Sequence, residues 1–355
     1  MTSLPTRILT PRLPPVSRIA LGSLTVSAMQ RNLPPDEAAE VMAYAFDAGI
    51  NFVDTAQYYE NYALIRAALK RAENGDAVMV SSKTYAWNRD LALAAVDEAR
   101  SALDRDVIDV FMLHEQESWD TLRGHREALD TLFELRERGI VRAVGASTHH
   151  VALIRGLIRL SREEGVTADV CHPLYNRAGI GIADGDEPDM AAALAELKSL
   201  GVGIFGMKAL GGGHLSGSAE DALRFVLSAP FIDAVAVGMQ TKAEVDANLR
   251  LLTDGSFTPA DRILLGRTER RLHVEDYCEG CGACVRRCGE GALRLVPVQS
   301  GNAESGSHDM SGLFAESEGL TPGSEPRFRA EPDDGKCVRC GYCTKVCPVF
   351  ALKIY

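Results

Sequence analysis

Four side chains that can hold or move a proton stand at the ends of three consecutive strand-like segments. Asp54 follows a short apolar run, and Tyr59 comes five residues later, beyond the predicted strand end. Lys83 and His114 follow the next two apolar runs in the same way. A single Asp after a strand is more often a helix cap, but four such groups in this order indicate a catalytic site.

Together the four groups could give a proton to a substrate oxygen, and the reduction of a carbonyl, which needs a hydride at carbon and a proton at oxygen, is one reaction of that kind. A phenol such as Tyr59 is a weak acid, with an unperturbed pKa of about 10. We expect the ammonium of Lys83 to lower that pKa by stabilising the phenolate. Asp54 would keep Lys83 charged and in place, and His114 would donate to the substrate oxygen. The alternative to catalysis is a purely structural role, in which Asp54 and Lys83 form an ion pair at the barrel rim and His114 is an ordinary buried histidine.

Eight of the nine cysteines form two copies of the spacing Cys-x2-Cys-x2-Cys-x3-Cys. The copies consist of Cys278, Cys281, Cys284 and Cys288, and of Cys337, Cys340, Cys343 and Cys347. This spacing resembles that of bacterial ferredoxins with two [4Fe-4S] clusters, where the fourth cysteine of each copy binds the other cluster. Zinc is the alternative, but a zinc site needs only four ligands and does not require this spacing of the third cysteine. Cys171, in an apolar run, is expected to be a buried thiol.

The four proton-handling residues belong to a repeating pattern of apolar runs and helical segments. The pattern extends from residue 18 to residue 252 with a period of about 30 residues. Eight strand–helix units of this total length predict an α/β fold, a (β/α)8 TIM barrel, with the catalytic groups at the carboxyl ends of its strands. An open doubly wound sheet is the alternative, but no Gly-x-Gly-x-x-Gly follows the first predicted strand.

The barrel segment resembles the aldo-keto reductase family. Asp-Thr-Ala-x-x-Tyr at 54–59, Ser-Ser-Lys ending at Lys83 and Leu-His ending at His114 match that family's catalytic tetrad. The resemblance implies hydride transfer between a nicotinamide cofactor and a small carbonyl or alcohol. One departure is that Glu60 follows Tyr59 where the family usually has glycine, which makes Tyr58 a minor rival for the catalytic phenol.

The same resemblance implies a nicotinamide dinucleotide, NAD(P)H, across the barrel mouth. Residues matching its contacts by position are Ser147, Asn176, Met207, Lys208, Gly238, Lys242 and Asn248. Met207 replaces a stacking tyrosine of many members, so that contact is expected to be weaker. Glu244 stands where members that prefer a 2′-phosphate often carry Arg, and its carboxylate would repel a phosphate unless Lys242 offsets it. NADH, or the use of both cofactors, is therefore favoured. Simple loop structure is the alternative for each position.

Composition narrows the class of protein. The chain has 355 residues, a net charge of -11 and an acidic balance that argues against nucleic-acid binding. No apolar stretch has the length of a signal peptide or a membrane span, so we expect a cytoplasmic protein without a membrane partner. In a reducing compartment, crowded cysteines favour metal over disulfides.

The sequence predicts a barrel over 1–255, a helical linker over 256–275 and a ferredoxin-like domain over 276–355. The polar segment 302–335 is predicted to be a mobile surface loop. We therefore expect an oxidoreductase with iron-sulfur clusters that transfer electrons. The alternative is an electron-transfer or redox-sensing protein whose barrel does not perform standard carbonyl reduction.

The two halves handle electrons differently. A hydride carries two electrons with a proton, whereas a cluster passes one electron at a time, and conversion usually takes a cofactor such as a flavin. The sequence shows no clear flavin motif. The clusters could brace the fold, dock an external redox partner, or support single-electron chemistry on a substrate. We favour a role in electron transfer, because two clusters exceed what bracing requires.

Overall fold

The computed structural model describes residues 4–266, 271–298 and 327–354. Two short strands, β1 (Thr6–Arg7) and β2 (Val16–Ser17), pair antiparallel ahead of the main sheet. Eight parallel strands then form a closed barrel in which each pairs with the next along the chain and the last pairs with the first. They are β3 (Ile19–Gly22), β4 (Phe52–Asp54), β5 (Met79–Thr84), β6 (Ile108–Leu113), β7 (Val141–Thr148), β8 (Val170–Pro173), β9 (Gly203–Gly206) and β10 (Ala234–Val237). The predicted α/β barrel is confirmed.

Helices cover the outside of the barrel. They are α1 (Pro35–Asp47), α2 (Tyr62–Arg71), α3 (Arg89–Leu103), α4 (Trp119–Gly124), α5 (Arg126–Glu137), α6 (Val151–Glu164), α7 (Glu187–Ser199), α8 (Ala219–Ser228), α9 (Lys242–Asp254) and α10 (Pro259–Gly266). With helices outside and side chains inside, β5 and β6 are buried along their whole length. This double burial explains why β6 carries apolar residues on both of its faces, interrupted only by Asp109.

The first strand pair closes the amino-terminal end of the barrel. Leu9 and Leu13, from the turn between β1 and β2, pack with Phe52 and Phe205 inside the barrel. The carbonyl of Leu9 lies 2.0 Å from where a Cβ on Gly203 would stand, so glycine is needed for this close approach. The opposite end, where Asp54 ends β4, therefore remains for the functional groups.

The C-terminal domain consists of two antiparallel strand pairs and two short helices. Its elements are β11 (Leu272–Val274), α11 (Ala283–Arg287), β12 (Leu293–Pro297), β13 (Phe328–Pro332), α12 (Tyr342–Lys345) and β14 (Leu352–Ile354). The strand β11 pairs with β14, and β12 pairs with β13. Cysteines form much of its small core, together with Leu272 and Leu352.

Two sequence-based expectations for this region need correction. The linker predicted as helical over 256–275 contains α10, but β11 is a strand because its alternating side chains pack against β14. The predicted loop 302–335 includes β13, which is held by pairing with β12. The rest of that loop, 302–326, lies outside the described residues. In the described parts of the chain, no helix combines the length and the apolar character needed to span a bilayer.

The C-terminal domain sits on the barrel mouth. The segment 337–345, which contains the first three cysteines of the second copy, is held there by side-chain-to-backbone hydrogen bonds. They join His214 to the carbonyl of Cys337, Gln30 to the carbonyl of Arg339, Thr344 to the carbonyl of Met29 and Lys345 to the carbonyl of Tyr58. The second cysteine motif is thereby placed at the end of the barrel that carries Asp54.

Candidate active site and cluster cavities

Asp54 and Lys83 form a buried ion pair at the barrel mouth. The Lys83 ammonium donates to both carboxylate oxygens of Asp54, at 2.7 and 2.8 Å, and to the carbonyl of Thr55 at 2.6 Å. Burial alone would raise the pKa of Asp54, but Lys83 and His172 hold it far below its usual range. Asp54 is therefore ionised and keeps Lys83 in a fixed orientation.

Tyr59 ends a short 3-10 turn after β4 and is 8% exposed. The Lys83 ammonium lies 5.4 Å from the centre of its ring. Burial raises the pKa of Tyr59 well above its ordinary value, and the negative charge of Asp54 raises it further. In the protein alone, these two causes outweigh any lowering of the Tyr59 pKa by Lys83. The charge of Lys83 is directed to Asp54, and Tyr59 is a protonated phenol.

His114 follows β6 and is fully enclosed. Burial lowers its pKa to about 3, so the ring is neutral. The ring of Tyr85 stacks on it at 4.5 Å, and Tyr59 meets it edge-on with ring centres 5.7 Å apart. Its Nε2 lies 3.4 Å from the hydroxyl of Tyr342, which belongs to the C-terminal domain. A neutral imidazole in this position can donate a single hydrogen bond to a ligand.

One cavity, which we call the mouth cavity, brings these groups together. Its walls include Asp54, Tyr59 and His114 of the predicted tetrad. Four of the predicted nicotinamide contacts line the same cavity, namely Met207, Lys208, Gly238 and Asn248. Tyr58 is not among its lining residues; its ring is held between Lys345 at 4.0 Å and Arg287 at 5.7 Å. The geometry therefore favours Tyr59 over Tyr58 as the phenol at the site.

The other predicted cofactor contacts lie away from the cavity walls. Ser147 accepts a hydrogen bond from the backbone of Glu115 at 2.8 Å. Asn176 bonds to backbone groups of the loop that follows it, including the carbonyl of Ile180 at 2.9 Å. Lys242 pairs with Glu40 on the barrel exterior at 2.5 Å. In this arrangement Lys242 does not offset the carboxylate of Glu244, which does line the cavity.

Several residues of the mouth cavity were not identified from the sequence. His172 stacks on Phe205 at 4.1 Å, and its Nε2 lies 3.5 Å from Asp54. Its place at the end of β8 repeats the strand-end pattern and could have revealed it. The cavity also contains Arg339 and Tyr342 from between the cysteines of the second motif. Nothing in their local sequence shows that this motif folds over a barrel.

The eight motif cysteines line two further cavities. The first, which we call the proximal cavity, lies beside barrel residues such as Glu115 and His149, and its cysteines are Cys288, Cys337, Cys340 and Cys343. The second, the distal cavity, is formed entirely by the C-terminal domain, and its cysteines are Cys278, Cys281, Cys284 and Cys347. Each cavity thus combines three cysteines of one copy with the last cysteine of the other.

Four cysteines line each of these cavities, which matches the four thiolate ligands of one [4Fe-4S] cluster. Within the described residues, no three His, Cys, Asp or Glu side chains converge as ligands of one metal ion. A [4Fe-4S] cluster instead takes each thiolate on a different iron. Backbone amides of Ala292 and Ala351 already lie 3.3 and 3.1 Å from the sulfurs of Cys288 and Cys347. Such N–H groups stabilise thiolate ligands.

Cys340 lines both the proximal cavity and the mouth cavity. Val338, Arg339 and Tyr342 do the same, so one short segment separates the two spaces. The proximal cavity is therefore adjacent to the candidate catalytic residues.

Comparison with known proteins agrees with this description. A model of the aldo/keto reductase family matches residues 18–221, which is more than half of the chain, and the chain belongs to this family. A 4Fe-4S dicluster domain model matches residues 277–351. The predicted family and its fusion to a ferredoxin-like domain are confirmed.

Curated proteins and solved structures that are similar to this chain include several aldo-keto reductases. The chain is 33% identical over 162 residues to 2,5-diketo-D-gluconic acid reductase B of a Corynebacterium species, which covers 42% of this chain and 54% of that protein. The chain spans about half the length of the curated relatives it matches. Among solved structures, the holo form of an aldo-keto reductase from Bacillus halodurans matches with a TM-score of 0.59 and 18% identity, covering 74% of this chain and 95% of that one. A Bombyx mori aldo-keto reductase in complex with NADP matches with a TM-score of 0.57 and 17% identity, covering 75% and 93%. These two similarities show the fold.

Proposed function

We propose that the chain reduces a small carbonyl compound, or oxidises the corresponding alcohol, with a nicotinamide dinucleotide as hydride carrier. The observation that carries the proposal is the mouth cavity, in which Asp54, Tyr59 and His114 share walls with the candidate cofactor contacts. When bound, the nicotinamide supplies or accepts the hydride.

The chain's own residues handle the proton. As hydride reaches the carbonyl carbon, the electron pair of the C=O double bond moves to oxygen and takes the proton of Tyr59. The phenolate left on Tyr59 is stabilised by the nearby Lys83 ammonium, which Asp54 keeps charged. His114 orients the carbonyl oxygen by donating from its neutral ring.

Met207, Lys208, Gly238 and Asn248 would hold the nicotinamide dinucleotide, because they line the cavity that contains Tyr59. NADH is the preferred form in this proposal. Glu244 places a carboxylate in the cavity wall, and Lys242 is bonded to Glu40 instead of facing it. A 2′-phosphate would meet repulsion there.

Two [4Fe-4S] clusters occupy the proximal and distal cavities in this proposal, and each can pass one electron at a time. The placement of Cys340 favours a role in electron transfer over mere bracing, because a ligand of the proximal cluster would border the substrate space. The chain has a net charge of -11, so an external one-electron partner with a positively charged surface could then exchange electrons with the cluster in the distal cavity.

The test is a cofactor and carbonyl screen on anaerobically purified protein. We expect NADH oxidation with a subset of small carbonyls, at a higher kcat/KM than with NADPH. The absence of turnover with any carbonyl and either cofactor would contradict the reductase proposal.

Electron transfer has a separate test in the same samples. NADH or NADPH is added with and without substrate, and the cluster absorbance and paramagnetic signal are followed. Clusters that stay oxidised in every mixture, together with normal carbonyl turnover by Cys340→Ala protein, would show that the clusters are structural.

A further inference from the structure

Three residues of the mouth cavity carry a buried nitrogen without a hydrogen-bond partner. The atoms are Nδ1 of His114, Nε2 of His149 and Nε of Arg339. In the described parts of the chain, only five buried side-chain nitrogen or oxygen atoms lack a partner, so three of the five belong to this one cavity. An unpaired buried polar atom costs free energy, and a group of them around one cavity is typical of a site that binds a polar ligand.

Arg339 is the cation of this group, and it comes from the ferredoxin-like domain. It lies between Cys337 and Cys340, and the barrel holds its backbone through the hydrogen bond from Gln30 at 3.0 Å. One terminal nitrogen makes a long contact of 3.4 Å with the carbonyl of Gly212. The remaining N–H groups are free for a ligand, and a guanidinium fits the two oxygens of a carboxylate or phosphate.

The carboxylates in the cavity wall are already engaged. Asp54 is paired with Lys83, as described above. Glu115 accepts a hydrogen bond of 2.5 Å from the hydroxyl of Tyr85, and its other oxygen lies 3.8 Å from Nε2 of His149. Glu244 accepts a hydrogen bond of 2.6 Å from the backbone of Gln240. No ion pair within the described residues joins Arg339 to a carboxylate of the chain. Its positive charge is therefore available to a bound anion.

We infer that Arg339 binds the carboxylate of an acidic carbonyl substrate, so that the ferredoxin-like domain supplies part of the substrate site. This inference rests on the proposed reductase function and names its substrate class. His149, whose neutral ring borders the same cavity, can add a hydrogen bond to the same anion. A cofactor phosphate offers related chemistry, so the experiment must separate substrate from cofactor.

The experiment compares two probes of similar shape that differ in charge, 4-formylbenzoate and 4-formylbenzamide, on the cluster-loaded enzyme. In Arg339→Gln we expect KM for the acid to rise about 10- to 100-fold, as for a lost charge-assisted hydrogen bond. KM for the amide should change much less, and Arg339→Lys should restore part of the preference. The dissociation constant of NADH should be unaffected. An equal change for both probes, or a loss confined to NADH binding, would overturn the inference.

A control and a binding measurement keep the result interpretable. Arg286→Gln removes an exposed cation from the other cysteine motif and should leave both KM values unchanged, with iron content measured for every variant. If the wild type turns over no carbonyl with either cofactor, the reductase proposal fails, but calorimetry with 4-(hydroxymethyl)benzoate and 4-(hydroxymethyl)benzamide still tests the anion site. Tighter binding of the acid that is lost in Arg339→Gln supports the inference, and equal binding of acid and amide refutes it.

Discussion

The hydroxyl of Tyr342 lies 3.4 Å from Nε2 of His114, and 228 residues separate the two along the chain. Tyr342 stands between Cys340 and Cys343, whereas His114 follows a barrel strand. The same hydroxyl lies 3.2 Å from that of Tyr85, whose ring stacks on His114. The cysteine motif and the predicted catalytic histidine are thus joined by one chain of hydrogen bonds.

The first prediction concerns the contact between Tyr342 and His114. Tyr342→Phe removes the only hydrogen bond found to the His114 ring in the described residues, so the ring should be less well oriented. Because a hydrogen bond is worth about 1 kcal/mol, we expect kcat for carbonyl reduction to fall about fivefold. The dissociation constant of NADH should not change. Tyr277→Phe, at an exposed tyrosine of the same domain, is the control, and an unchanged kcat in Tyr342→Phe would show that His114 does not depend on this contact.

The second prediction separates neighbouring phenols. Tyr59→Phe should lower kcat by roughly 10²–10⁴-fold, the typical contribution of general acid catalysis, while nicotinamide binding survives. Tyr58→Phe should retain most activity, because its ring packs against Lys345 and Arg287 away from the mouth cavity. Steady-state kinetics and NADH titration of both variants decide the matter. A large loss in Tyr58→Phe with normal Tyr59→Phe kinetics would reverse the assignment.

The departure at Glu60 illustrates what the sequence could and could not predict. Glu60 has a φ of 53°, a left-handed conformation that glycine adopts without strain, which explains the family's usual choice. Here its carboxylate pairs with Lys345 of the ferredoxin-like domain at 2.8 Å. Local spacing predicted the barrel, Asp54, Lys83 and the cysteine copies, because each depends on nearby residues. Contacts between residues hundreds of positions apart leave no periodic signal, so Arg339 and Tyr342 were missed.

The third prediction is crossed cluster ligation. The proximal cavity would use Cys288 with the first three cysteines of the second copy, and the distal cavity would use Cys347 with those of the first. Iron analysis of anaerobic protein should give about eight irons per chain. Cys288→Ser should perturb the same cluster signal as Cys340→Ser, and Cys347→Ser the same signal as Cys281→Ser. Zinc in place of iron would contradict this prediction. So would a result in which Cys288→Ser perturbs the same cluster signal as Cys281→Ser, because those two cysteines belong to the same copy.

The fourth prediction concerns pH. Burial lowers the pKa of His114 and of His149 to about 3, so both rings are neutral above that pH. The pKa of Tyr59 is raised, so this donor keeps its proton well beyond neutrality. We therefore expect kcat/KM for carbonyl reduction to be constant between about pH 5.5 and 8. A histidine with the ordinary pKa of about 6.5 would titrate within this range. Activity should fall only at alkaline pH, first as Lys83 loses its proton, because burial lowers the pKa of Lys83 whereas the pKa of Tyr59 is raised. An inflection near pH 6.5 that disappears in His114→Asn would show that this ring titrates in the working enzyme.

The last prediction tests whether the two domains must stay in contact for catalysis. Gly212 has a φ of 67°, and a Cβ added there would lie 2.1 Å from the carbonyl of Val338 in the second cysteine motif. Gly165 has a nearly identical φ of 69°, but a Cβ there would meet nothing within 4 Å. Both Ala variants should lose about 1 kcal/mol to backbone strain, because the left-handed conformation penalises any Cβ. Only Gly212→Ala should also push the 337–345 segment away from the barrel.

Hydrogen exchange and kinetics distinguish the two variants. In Gly212→Ala, amides of 337–345 should exchange faster and carbonyl reduction should fall, because Arg339 and Tyr342 leave the mouth cavity together. Gly165→Ala should show native exchange in that segment and native kinetics at a temperature well below its melting point. Equal exchange of the segment in both variants would mean that the contact at Gly212 does not hold the domains together. Faster amide exchange of 337–345 in Gly212→Ala with an unchanged rate of carbonyl reduction would mean that the barrel catalyses the reaction without residues of the ferredoxin-like domain.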